Sequence, residues 1–230
     1  MHEFVASSVF FGVFVTLAAY LIGMKIRQKT GLSVMNPILI AVALVIALLS
    51  LLGIDYSAYN QSAKLISNLL TPATICLAVP LYEQIELLRR HKLAIFLGVL
   101  SGVVASLVCV LALSLLFGLD HASYVTLLPK SITSAIGMGV SEELGGYPSI
   151  TVAVIILTGI FGSIIAKGLF RLLRVTDPIA KGIAIGTSSH AIGTTRAMEL
   201  GEIEGAMSGL SIVIAGVLTV IGASVFSVLL

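Results

Sequence analysis

Long apolar runs separated by short polar clusters make up most of this chain. A helix crossing ~30 Å of hydrocarbon needs about 20 apolar residues. Phe4–Met24, Val34–Gly53, Leu93–Gly118, Ile150–Phe170 and Ala206–Leu229 are runs of that kind. Ile66–Tyr82 is shorter and holds Pro72 and Pro80. Each proline removes a backbone donor and frees an upstream carbonyl, which predicts a kinked helix. The kink either faces a cavity, with Asn68, Thr71 and Thr74 as lining, or serves packing alone. Tyr56, Tyr59 and Tyr82 read as interfacial anchors. The first run lacks a preceding basic residue and a small-residue cleavage pattern, so it reads as a retained span rather than a secretory signal.

Two stretches of span length break the pattern. Leu127–Gly146 and Gly182–Gly201 are rich in Gly, Ser and Thr and carry charge. The basic residues decide how they run. Lys25, Arg27 and Lys29 follow the first span, Arg89, Arg90 and Lys92 precede the fourth, and Lys167, Arg171, Arg174 and Lys181 cluster at and after the fifth. Six spans starting outside put all three clusters in the cytoplasm, with both termini, Asp55, Asp120 and His121 outside. If each odd stretch crossed fully, Arg171, Arg174 and Lys181 would change sides. Non-helical backbone at membrane depth needs protein or a water-filled cavity around it. Both stretches are therefore read as re-entrant segments lining a cavity.

Composition strengthens this. Hydrophobic residues make up 58% and charged residues 10% of the 230, and the mean hydropathy is +1.13. Soluble domains run near 45–50% apolar and ~25% charged. A soluble enzyme, a disordered regulator and a nucleic-acid binder are excluded. The net charge of +2 supports no polyanionic partner. Cys76 and Cys109 have no zinc or disulfide spacing and read as small buried thiols, and no cofactor or metal is called for. The fold class expected is an all-α polytopic membrane protein. It has about six transmembrane helices plus two re-entrant, broken segments in an inverted repeat. Residues 1–125 would form a four-span scaffold and residues 126–230 the site region of one integral membrane domain, in a bacterial cell membrane.

The two odd stretches also resemble each other. Residues 131–145 align without gaps on residues 187–201, pairing Ala135, Ile136 and Gly137 with Ala191, Ile192 and Gly193, and Glu143, Leu144 and Gly145 with Glu199, Leu200 and Gly201. Each copy precedes a long apolar span, where Gly159 meets Gly216 after a one-residue shift. One full crossing lies between the copies, so the second enters from the opposite face. Paired, interrupted segments in inverted repeats point to a transporter site at the midplane. A helix that breaks in the membrane offers free N–H groups and its positive end to an anion.

The candidate chemistry follows. Gly137, Gly139 and Gly193 permit the breaks. Ser131, Thr133, Ser134, Ser188, Ser189, Thr194 and Thr195 offer hydroxyls, and Lys130 and Arg196 give each copy a cation, which favours a small carboxylate. His190 replaces Ser134 in the second copy; it either shuttles a proton or holds the substrate, or is satisfied by a neighbouring helix. Glu143 and Glu199 are either coupling groups or solvated ends, Glu199 lying close to Glu202 and Glu204. Ser189 and His190 make no hydrolase pair, because adjacent residues point apart and no nucleophile elbow surrounds them.

Pro72–Tyr82, Leu128-Pro-Lys-Ser-Ile-Thr133 and Gly186-Thr-Ser-Ser-His-Ala-Ile-Gly193 resemble the LrgB/CidB family over essentially the whole chain. The resemblance implies an antiholin-like or holin-like regulator of murein hydrolase activity and lysis, acting with a small LrgA/CidA-type membrane partner. It also implies a relationship to the plastidal glycolate/glycerate translocator, and so a carrier of pyruvate, glycolate or similar 2-oxo and 2-hydroxy acids. Lys130, Ser131, Thr133, Ser189, His190 and Gly193 fall on the family blocks. The inverted segments favour a carrier working by alternating access with an LrgA/CidA-type partner, as a monomer or a homo-oligomer; lysis control is the alternative. No enzyme activity is expected.

Overall fold

The computed structural model describes residues 10–30, 35, 37–69, 72, 82 and 85–230, and every described element is helical. Most of the expected third span, with Pro80, Thr71, Thr74 and Cys76, lies outside the described residues. The chain forms two compact units, Met1–Cys76 and Leu77–Leu230. The expected division after residue 125 falls inside the second unit, whose first helix packs on the repeats.

In the first unit, α1 (Phe11–Thr30) and α2 (Pro37–Leu52) pack through Val15, Ala19, Ala41 and Val45. Two short helices follow, α3 (Tyr56–Ser62) and α4 (Lys64–Asn68). α1 approaches α3 closely at Gly12, whose N–H donates to Ser62 Oγ at 3.0 Å. Tyr59, expected as a membrane anchor, hydrogen-bonds Thr16 at 2.7 Å. Tyr56 and Tyr82 are exposed.

The second unit opens with α5 (Ile85–Phe117), which leaves helical geometry at His91. Gly118 ends it at φ 63°, a conformation natural to glycine. Next come α6 (His121–Leu127), α7 (Ser134–Glu143), α8 (Pro148–Leu172), α9 (Pro178–Leu200) and α10 (Glu202–Phe226). Asp120 and Asp177 cap α6 and α9, accepting from Ser123 N and Ala180 N. The Ser123 hydroxyl and N–H hold the Asp120 carboxyl below its ordinary pKa.

α8 ends in a Schellman turn. Val175 N–H donates to Phe170 O at 2.9 Å and Arg174 N–H to Arg171 O at 3.3 Å. Arg174 takes the left-handed position at φ 55°, where glycine is usual. A side chain there costs roughly 1–2 kcal/mol.

Three helices among the described residues are long and apolar enough to cross a membrane: Arg89–Phe117, Pro148–Leu172 and Glu202–Leu229. With the shorter apolar α2 they make an all-helical, multi-pass membrane protein. α5 and α10 carry much of the core, with Ile95, Val99, Val103, Leu107, Met207, Ala215 and Ala223 buried together with Tyr124 of α6.

Both odd stretches fold back on themselves. In α9 the reversal is at His190, where φ is 41° and ψ −143°. A Cβ on Gly193 would lie 2.9 Å from Ile185 Cγ2, whereas a straight helix separates residues eight apart by about 12 Å. The two ends of α9 return to one place, so Lys181 and Leu200 line a single pocket. In the first copy α6 and α7 are the two arms. A Cβ on Gly137 would lie 3.5 Å from Pro129 O, and Thr151 Oγ1 lies 3.0 Å from Thr126 O and 2.7 Å from Ser141 Oγ, linking the two arms.

The bases of the two hairpins lie at opposite ends of α10. Lys181 sits 3.8 Å from Glu204 in its first turn, while Tyr124 OH donates to Phe226 O at its last residue, 2.8 Å away. The hairpins therefore enter from opposite sides, as an inverted repeat requires.

Candidate functional site

The hairpin tips meet beside the middle of α5. Ser131, in the first tip, lies 3.3 Å from Ser106 on α5, and a Cβ on Gly102 would press on Thr187 in the second hairpin. Ser106 is eleven residues from the end of α5 at Phe117, about 17 Å along the axis, close to half of a ~30 Å hydrocarbon layer. The small residues Ala94, Gly98, Ser101, Gly102, Ser106 and Cys109 form one stripe of α5 at helical spacing. They leave room for a cavity of about 860 Å³. It runs from His91 and Asp177 at one end to Lys130, Ser131 and Cys109 at the other, with Thr187 and Ser188 in its wall.

Lys130 is half-buried and donates to Ser131 Oγ at 3.1 Å. Among the described residues no carboxylate lies within ion-pair distance of it. Thr187 is 6% exposed, and its hydroxyl oxygen has no partner among the described residues. A buried hydroxyl left unpaired carries a desolvation penalty of about 1–3 kcal/mol. Thr187 is the repeat mate of Ser131, so each hairpin sends one hydroxyl to the same wall.

The other expected site residues fall elsewhere. His190 does not line the cavity; its Nε2 lies 2.9 Å from Ile155 O on α8 and pins the second tip there. Ser189 is buried against Gly162, and Thr194 bonds the Ser208 hydroxyl at 2.8 Å. Arg196 pairs with Glu199, three residues on, through a charged hydrogen bond. Thr133 precedes the first residue of α7, and neither it nor Ser134 reaches the cavity lining. Glu143 and Glu199 stand at the bases of their hairpins, exposed.

The glycines expected to break the helices lie inside helical stretches. Gly137 admits Ile155, Gly193 admits Ile185, and Gly139 faces open space. The breaks are carried by residues 128–133 in one copy and by His190 in the other. Cys109, expected to be buried, is exposed. Sequence reading missed Thr187, Ser101, Ser106, His91 and Asp177. The α5 stripe of small residues at helical spacing, and the pairing of Thr187 with Ser131, were signals it could have used.

The halves also exchange contacts. Gly159 on α8 receives Ile192 of the second hairpin, and Gly216 on α10 receives Ile136 of the first. Ile136 and Ile192 are repeat mates, as are Gly159 and Gly216. Each hairpin thus packs on the span of the other copy as well as on its own.

The family model described as "LrgB-like family" matches residues 16–229. The chain belongs to the LrgB-like family. Among LrgB-like relatives, the holin-like protein CidB of Staphylococcus epidermidis strain RP62A is 38% identical over 207 residues, 90% of each chain. The antiholin-like protein LrgB of Bacillus mycoides strain KBAB4 is 35% identical over 213 residues, 92% of this chain and 93% of the relative. No solved structure matches this LrgB-like chain.

Proposed function

We propose that this protein carries small monocarboxylates, pyruvate- or glycolate-like 2-oxo and 2-hydroxy acids, through the cavity where the hairpin tips meet. The observation that carries the reading is Lys130, a lysine without a carboxylate partner among the described residues, near mid-membrane depth in a largely apolar cavity. A half-buried cation calls for a counter-charge; hydroxyls and the Cys109 thiol line its end of the cavity, and Asp177, the carboxylate of the lining, stands at the other end. A bound carboxylate supplies the charge and takes hydrogen bonds from Lys130, Ser131 and Ser188. Opposed hairpins of one repeat are the arrangement on which alternating access is built. His91 stands between Arg90 and Lys92, and Asp177 between Arg174 and Lys181, so on the positive-inside rule that end of the cavity is cytoplasmic and both termini are outside. A small LrgA/CidA-type membrane protein is the expected partner.

The names of the relatives favour a second reading, control of murein hydrolase activity and lysis in the bacterial cell membrane. Reconstitution separates the two. Liposomes holding the protein, with and without an LrgA-type partner, are assayed for uptake of labelled pyruvate and glycolate and for leak of a trapped dye. Saturable uptake without leak is the expected result. Lys130→Ala should lower it at least 100-fold with the folded yield unchanged, and Lys130→Arg should retain part of it. Dye leak without saturation, or wild-type uptake in Lys130→Ala, would sink the carrier reading.

A further inference from the structure

A second cavity, of about 430 Å³, lies where α8 hands over to α9, at the base of the second hairpin. Lys167, Arg171 and Arg174 reach it from the end of α8, Lys181 from the start of α9, and Phe170 and Leu200 supply apolar wall. Lys181 is partly offset by Glu204 at 3.8 Å. The other three have no carboxylate within ion-pair distance among the described residues. Four cations that only marked the inner face of the membrane could spread freely over loops. Here they converge on one cavity.

The backbone gives a second, independent reason. Arg174 occupies the left-handed position of the Schellman turn, which glycine fills without strain. A cation favouring the helix dipole is not what position 174 requires, since Arg171 already stands in the last turn. A strained side chain kept at such a position points to work done by that side chain.

We propose that this pocket binds the phosphate of an anionic phospholipid. Guanidinium groups pair with phosphate oxygens through two parallel hydrogen bonds, and Arg171 and Arg174 provide two such forks beside Lys167 and the Thr176 hydroxyl. A lipid suits the site better than free phosphate because Leu169, Leu172 and Leu173 stand exposed on the same helix end, ready to receive acyl chains. Pockets of basic residues between helices on the cytoplasmic side of a membrane suit such headgroups. The lipid would then tie the base of the second hairpin to α8.

The test uses the full chain in nanodiscs of mixed phosphatidylglycerol and phosphatidylcholine, with lipid retained after detergent extraction measured by mass spectrometry. Wild type should retain phosphatidylglycerol at least fivefold over phosphatidylcholine. Arg174→Gly should lose that preference while melting no lower than wild type, because glycine relieves the turn. Lys92→Gln, a charge removed outside the pocket, should keep the preference. Millimolar inorganic phosphate or glycerol phosphate should not displace the lipid. Equal retention in Arg174→Gly, equal loss in Lys92→Gln, or displacement by inorganic phosphate would each overturn the assignment.

Discussion

His190 shows how a single residue shapes this fold. Its backbone lies in a region that L-residues avoid, at a cost of about 1–3 kcal/mol, and its ring gains one hydrogen bond to Ile155 O, contributing about 1 kcal/mol. The two effects can be pulled apart. His190→Ala keeps the strain and loses the bond, whereas His190→Gly loses both. In thermal melts in detergent, His190→Gly should therefore stay within about 1 kcal/mol of wild type and melt above His190→Ala. The reverse order would mean that the backbone at residue 190 carries no net strain, because both variants lose the ring alike. This residue also marks what sequence could and could not tell. Polarity at membrane depth says that a group needs a partner, and it does not say which. Lys130 has no carboxylate within ion-pair distance among the described residues and reaches the cavity; Arg196 meets Glu199 one turn along; His190 meets a carbonyl 35 residues away in the chain. The Arg196–Glu199 pair is local and legible from its spacing, whereas the carbonyl that meets His190 is a contact of the folded chain that nothing in the local sequence separates from a substrate.

At the level of elements, the repeat was readable because small and hydroxyl-bearing residues interrupt otherwise apolar runs, and the hairpins fall where those interruptions lie. The agent of each break was not readable, because glycine in a membrane helix serves close approach as often as it serves a turn. The exchanged contacts give this a number. A Cβ on Gly159 would lie 2.7 Å from His190 Cε1 and 2.9 Å from Ile192 Cβ, while one on Gly216 would meet only the tip of Ile136, at 3.3 Å. Gly159→Ala should then cost about 1–3 kcal/mol, as overpacking does, and Gly216→Ala less than about 1 kcal/mol. Melting temperatures of the two variants check this, and equal losses would mean that the two seams are equally tight.

For the whole molecule, the orientation of the second unit in the membrane is a property that labelling reads directly. The carrier reading predicts that Cys109, in a Cys76→Ser background, reacts with a membrane-impermeant thiol reagent in inside-out vesicles and is shielded by pyruvate. Tags at both termini should be reached from outside intact cells. Labelling from the outer face alone would invert the orientation. The carrier reading gives Lys130 an electrical consequence too. With its ammonium charged and one monocarboxylate bound, the site is neutral, and the loaded cavity crosses the membrane field without work. Emptied, it carries one positive charge, and moving a full charge through 100 mV takes about 2.3 kcal/mol. An interior-negative voltage then acts on the empty protein alone, holding its lysine toward the cytoplasm and slowing only the unloaded half of each cycle.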